Sequence, residues 1–455
     1  MTLCPILAAH VAKASFDALP PVAAEAARRA LVDTLAVAWG ARGASGVAQG
    51  MAVASSAHQP ATSTLWQTGT KSSPRAAAFA NSVAAAALDF DSIHPGAAIH
   101  PDIVCVPVAL SVGEMVGASG KDLLAAIAMG SDLICRLALS TRANSGWFYT
   151  SVYGPIVSAA ITAKLLGASP ETIADAMGLG YMNAAGTYQP VAERSPSKRA
   201  LAAFAVDSGV LCGQLAVAGL SGPREWLDGP FGLYALYEKG DSFHVTHELG
   251  SVYRNAETNI KAYPSCQANH APIDALLSLK SEMRVSKEDA ESIEVVLSPY
   301  MNRLVGAPYE PGTNPQVAAQ FSVQYSLACA MLYDRVGIAE ISAAADGDPE
   351  VRSWAARVRV TVDQENRNNY CPATVKVKLR DGTELSRTAS VLRGSVEAPL
   401  TDEQLKGKMA ECLDAGGYEA RPDRVEQVFD EIGRVDEAPE IGAWMTKVVR
   451  LVNTP

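Results

Sequence analysis

The chain has 455 residues, 48% hydrophobic and 19% charged, which is too long for one ordinary core and predicts two domains. Its formal net charge is −10 with no Lys/Arg-rich run, excluding nucleic acid as a partner, because a phosphate backbone selects a basic stripe. The longest apolar, uncharged stretch is about 208–222, short of the ~18 residues of a membrane span, so no membrane association is expected.

In chain order, residues 1–14 are apolar but lack the basic leader of a signal peptide. Residues 22–40 place Ala27, Leu31, Leu35 and Ala38 at helical spacing, with Arg28, Arg29 and Asp33 off that face. Residues 121–139 behave similarly, and alanine runs such as Ala84–Ala87 favour closely packed helices. Ser169 as cap and Pro170 at the first position open a helix over 170–178. To about residue 255 the pattern is helices joined by Gly-rich turns. Beyond it, 292–297, 358–362 and 374–379 alternate polar and β-branched residues and predict strands. Asp381-Gly382 then turns a hairpin into 383–390. Thr401 and Gln404 form a capping box that restarts helix. The fold class is therefore mainly α, with a large helical domain and a smaller α+β domain. Eight scattered cysteines without a C-x-x-C pair point to reduced thiols and a cytoplasmic location.

One segment concentrates chemistry. Asp89, Asp91, His94 and His100 fall within twelve residues, among prolines that forbid a continuous helix. An aspartate beside a histidine fixes its tautomer and raises its basicity; a capping loop with surface histidines and a metal site are the other readings of this spacing. No further cluster at metal spacing accompanies it. His244, His247 and Glu248 meet neither zinc-protease pattern and read as a surface turn. Dinucleotide, phosphate-loop and serine-hydrolase motifs are absent from the sequence, as is iron–sulfur spacing.

The D-F-D-x-x-H-x5-H-P string at Asp89–Pro101 resembles the hallmark of the MmgE/PrpD family. The 27–40 helix resembles its R-x-L-x-D motif, and Lys261-Ala262-Tyr263-Pro264-Ser265-Cys266 with Asn269-His270 resembles its lysine signature. Similar matches are Tyr300-Met301-Asn302-Arg303, Phe321-Ser322 with Tyr325, and Gly394-Ser395, Pro399-Leu400, Leu405 and Lys408. The resemblance covers essentially the whole chain. It implies a helical domain from 1–258 and 394–455, an α+β lid over 259–393, a homodimer, and neither cofactor nor metal. It implies a lyase acting on a small anionic di- or tricarboxylate, with dehydration as first choice. Decarboxylation, epimerisation and a non-catalytic dimeric binding protein are the alternatives.

By position, the resemblance assigns catalysis to His100, Asp89, Lys198 and Lys261, and substrate binding to His94, Cys266 and Tyr300. Tyr149 is added as a neighbouring donor. Removing a proton next to a carboxylate builds up a second negative charge there, which lysine ammonium groups stabilise while a histidine moves the proton. Lys198→Ala and Lys261→Ala are expected to weaken turnover and leave the fold intact. Three departures point to a less polar pocket and a different substrate. Phe148 stands where the family's G-W-H-P-T block has histidine, Ile93 replaces a threonine, and Arg194-Ser195-Pro196-Ser197 replaces the Gly-Thr before the lysine.

Overall fold

The computed structural model describes residues 3–55, 60–141, 146–345 and 347–453. Its side chains gather into two main hydrophobic cores. One is helical and joins the chain's two ends: Leu7, Leu31, Leu35 and Trp39 pack with Met409, Val428, Trp444 and Met445. The other spans Tyr263 to Leu392 and includes Ile293, Val295, Val375 and Val377.

Local sequence explains each part. The Pro21–Gly40 helix begins with proline at its first position, where the missing N–H has no partner to lose. Ser119 and Asp122 cap Gly120–Leu139 reciprocally, and Thr401 and Gln404 do the same for Asp402–Ala415. The Pro170–Tyr181 helix runs three residues past the expected end at 178. Gly178 and Gly180 read locally as a stop, but they serve close packing. A Cβ would stand 2.2 Å from the Pro223 carbonyl oxygen at Gly178 and 2.6 Å from that of Pro155 at Gly180.

In the second core four strands pair in the order 358–362, 290–297, 373–379, 384–389. The first pair is parallel, with Ile293 opposite Val358; the others are antiparallel, with Val295 opposite Val375 and Val375 opposite Arg387. Ile293, Val295, Val375 and Val377 face inward, while Glu294 on the outer face meets Arg359 at 2.6 Å and Lys376 at 3.3 Å. A short antiparallel ribbon of Ser63–Thr64 with Lys71–Ser72 inside the helical half had no signal in the sequence.

The segment Pro196–Val217 is long and apolar enough to cross a membrane, and half of it is buried inside the protein. Lys198, Arg199 and Asp207 fall in its first part, ahead of the uncharged stretch at 208–222. The Ala200–Val217 helix packs closely on Tyr149–Leu165: a Cβ at Gly209 would lie 2.3 Å from Ser158 Cβ, and one at Gly213 2.6 Å from Thr162 Cβ.

Candidate active site

The Asp89–Pro101 motif is a pinned loop between two helices. Asp89 and Ala98 adopt positive φ, 51° and 50°. The Ile93 N–H donates to the Asn259 carbonyl at 3.0 Å, and the Asn259 N–H returns the bond at 2.8 Å. That bridge brings the segment carrying Lys261 against the loop. His94 N–H to Ile99 O, 2.9 Å, closes the loop on itself, and Thr150 Oγ1 accepts from the His100 N–H at 3.1 Å.

Two buried lysines converge on Asp89. Lys198 donates to Oδ1, while Lys261 Nζ lies 3.2 Å from Oδ2 and 2.7 Å from the Asp89 carbonyl oxygen. Burial alone would raise the Asp89 pKa. The charges of Lys198, Lys261 and His100 outweigh it and hold the carboxyl well below the usual range. Burial pulls Lys198 the other way, but Asp89 and Asp91 leave its ammonium with a raised pKa. Both groups stay charged at neutral pH.

His100 Nδ1 lies 2.7 Å from Asp91 Oδ2 and 3.2 Å from the Ser92 carbonyl oxygen. Both neighbours only accept, so Nδ1 carries the proton and Nε2 is left for chemistry. Beneath this pair Asp102 accepts from Ser92 Oγ at 2.5 Å and Ser131 Oγ at 2.8 Å. Lys408, from the C-terminal part of the chain, meets Asp33 at 2.5 Å and donates to the carbonyls of Phe90 (2.8 Å) and Lys261 (3.0 Å). It thereby ties the motif loop to the lysine strap.

Burial pushes the Asp102 pKa up to about 6 from an ordinary 3.8. A carboxyl raised in the folded state stabilises below its unfolded value and loses that contribution as pH rises through 6. Asp102→Asn is therefore expected to match wild type near pH 4 and to exceed it at pH 7.5 by on the order of 2–3 kcal/mol. Urea unfolding at the two pH values checks this.

From the second core come Cys266 and Tyr300. Burial, then the Asp89 charge, pushes the Cys266 thiol up to about 11, so it is no thiolate nucleophile at neutral pH. The Tyr300 hydroxyl sits 3.4 Å from that of Tyr370. Asp89, His100, Lys198, Lys261, Cys266 and Tyr300 line one cleft of about 40 Å³, with Phe148 and Phe321 among its apolar walls. That space holds at most a few waters.

Two predicted binding residues, His94 and Tyr149, have other partners in this structure. His94 Nδ1 accepts from the Ala97 N–H at 3.1 Å and its Nε2 lies 3.2 Å from Glu257; the ring braces the loop. Tyr149 is buried beside Tyr153, ring centroids 5.6 Å apart, and burial, then Glu238, pushes its hydroxyl up to about 12. Neither lines the cleft. The expectation that lysine truncation spares the fold changes. Lys198 and Lys261 are only 8% and 1% exposed, and losing either takes one of two cations from a buried carboxylate.

Gln267, next to Cys266, was missed. It is buried in the cleft wall, and neither its Nε2 nor its Oε1 finds a hydrogen-bond partner in the protein. A buried amide with no protein partner awaits water or ligand. Gln267→Leu is expected to raise KM about tenfold or more, the worth of a hydrogen bond to a charged group, with unchanged or higher Tm. Steady-state kinetics beside a melting curve checks both. Among the described residues no group of three or more His, Cys, Asp or Glu side chains is placed to hold a metal ion.

Two family models match the chain, the MmgE/PrpD N-terminal domain over residues 6–246 and the MmgE/PrpD C-terminal domain over 263–432. A cis-aconitate decarboxylase of Aspergillus terreus (strain NIH 2624 / FGSC A1156) is 25% identical over 96% of this chain and 93% of its own length. A second Aspergillus terreus cis-aconitate decarboxylase is 24% identical with the same coverage. The cis-aconitate decarboxylase-like protein oryM of Aspergillus oryzae is 24% identical over 74% of each chain.

Proposed function

The chain belongs to the MmgE/PrpD family, and on that premise we propose that it is a lyase that decarboxylates a small di- or tricarboxylic acid without metal or cofactor. The observation that carries this reading is the pairing of a doubly lysine-bound aspartate with one Asp91-oriented histidine in a closed, aromatic-walled cleft. The sequence expectation put dehydration first. Dehydration needs a base for the carbon-bound proton and an acid for the leaving hydroxyl. Phe148, its ring centroid 6.2 Å from that of His100, leaves His100 as the one imidazole among the described residues lining the cleft. Decarboxylation needs a single proton donor. The decarboxylase relatives support the same order.

In this reading the C–C bond to one carboxylate breaks and CO2 leaves. The electron pair spreads into a conjugated carboxylate whose added charge Lys198 and Lys261 stabilise. The His100 imidazolium, stabilised by Asp91, delivers a proton to carbon from Nε2, and solvent reprotonates the ring. The aromatic walls keep the leaving carboxylate poorly hydrated, which favours loss of its charge. Dehydration is the second reading, with Tyr300, paired to Tyr370, as the additional acid. A thermal-shift screen of di- and tricarboxylates, followed by NMR identification of products, tests both. Loss of one carboxylate supports decarboxylation, loss of water supports dehydration, and binding without turnover across the panel contradicts the enzyme reading.

The same proposal makes the protein a cytoplasmic homodimer. All eight cysteines are free and seven are buried. Phe204, Leu211 and Leu215 form an exposed stripe on the Ala200–Val217 helix, Phe204 being 61% exposed. An open groove of about 840 Å³ continues beside Phe204 and Phe79; it contains none of the predicted site residues. A contiguous apolar face of this kind marks an interface. Phe204→Asp with Leu215→Asp is expected to convert a dimer to a monomer in light scattering.

A further inference from the structure

A second chamber, about 470 Å³, adjoins the catalytic cleft: Tyr188, Val191, Leu304 and Phe321 line both spaces. Its wall also carries Arg194 and Arg303. Among the described residues neither guanidinium meets a carboxylate. Arg194 Nη1 donates to the Glu310 carbonyl at 2.9 Å, and the Arg303 guanidinium lies 5.2 Å from the Tyr300 ring centroid. Arg194 also sits at φ +53°, a left-handed conformation uncommon for a non-glycine residue and concentrated at functional positions. In a chain of net charge −10, two arginines without acidic partners at one opening are a local reversal of sign.

The inner cleft leaves a charge deficit. Lys198 and Lys261 are shared with Asp89 and Asp91, so the stabilisation they still offer serves the reacting carboxylate and leaves nothing for a second one. A substrate bearing two or three carboxylates brings more negative charge than His100 alone offsets. We infer that the outer chamber is a second anion subsite, in which Arg194 and Arg303 hold the remote carboxylate of an extended substrate. Its intervening carbons lie along Tyr188, Val191, Leu304 and Phe321, the residues common to both spaces. The chamber's volume lies within the roughly 300–1,000 Å³ of sites for larger organic ligands. The substrate class is thus an elongated polycarboxylic acid with an apolar middle. This rests on the carboxylate reading of the inner cleft and adds its length and second contact.

The test is calorimetric titration with the α,ω-dicarboxylates succinate, glutarate, adipate, pimelate and suberate, and with hexanoate as monocarboxylate control. It uses wild type, Arg194→Gln, Arg303→Gln and Arg194→Lys. In wild type the affinity should climb along the series until the second carboxylate reaches the arginines, the best diacid exceeding hexanoate by about tenfold or more. Each glutamine variant should lose most of that preference, and Arg194→Lys should keep part of it. Arg303→Gln also removes the contact with Tyr300, so Arg194→Gln is the cleaner variant; circular dichroism checks that both fold. Diacids that bind with their length preference intact in both glutamine variants overturn the subsite alone. If none of these acids binds wild type, the inner carboxylate site falls with it.

Discussion

Replacing His100 with asparagine is expected to lower turnover by at least about a hundredfold, the lower end of what general acid–base groups supply, with little change in Tm. The geometry separates the two quantities. His100 Nδ1 rests on Asp91 and the Ser92 carbonyl, and an asparagine amide donates to the same acceptors while lacking any titrating group. A ring that only braced the loop, as His94 does against Glu257, gives the opposite pattern: lower Tm and near-normal activity per folded molecule. Phe148 sharpens the expectation, because among the described residues no second imidazole lines the cleft to take over the proton.

The second large effect falls on both stability and activity. Lys261→Met should abolish measurable turnover and cost on the order of 3–5 kcal/mol, the range for breaking one partner out of a buried ion pair. Lys261 is 1% exposed and binds both the carboxylate and the carbonyl of Asp89. Adding Asp89→Asn should recover only part of the lost stability, because it also takes the partner from buried Lys198, and should recover no activity. Urea unfolding of the single and double variants, with assays beside it, checks this. Equal stabilities for Lys261→Met and wild type would mean that Asp89 does not depend on Lys261.

Much of this was readable locally. Helix starts at Pro21, Pro170 and Asp402 follow from caps and prolines within a few residues. The strands at 290–297 and 373–379 follow from β-branched alternation. The motif residues Asp89 and His100, with Lys198, Lys261, Cys266 and Tyr300, are brought to one cleft. What was not legible depends on distant chain. Asp33 reads as solvent-facing because it lies off the apolar stripe of its helix. It is 1% exposed, because the 402–415 helix packs there and supplies Lys408. His94 and His100 share a loop and a residue type. Tertiary partners, Glu257 for one and Asp91 for the other, separate them. Gln267 sits inside a recognised signature, yet only its missing hydrogen bonds reveal it.

The central claim is that His100 delivers a proton to carbon after CO2 leaves, in a cleft whose charge is handled by lysines rather than a metal. Turnover of a carboxylate hit from the ligand screen in D2O with excess EDTA, followed by proton and carbon NMR, tests it most directly. The account predicts one CO2 released and one deuterium gained at carbon per turnover, undiminished by the chelator and lost in His100→Asn. A product that keeps every carboxylate, or turnover that stops with EDTA and returns with an added divalent ion, would contradict it.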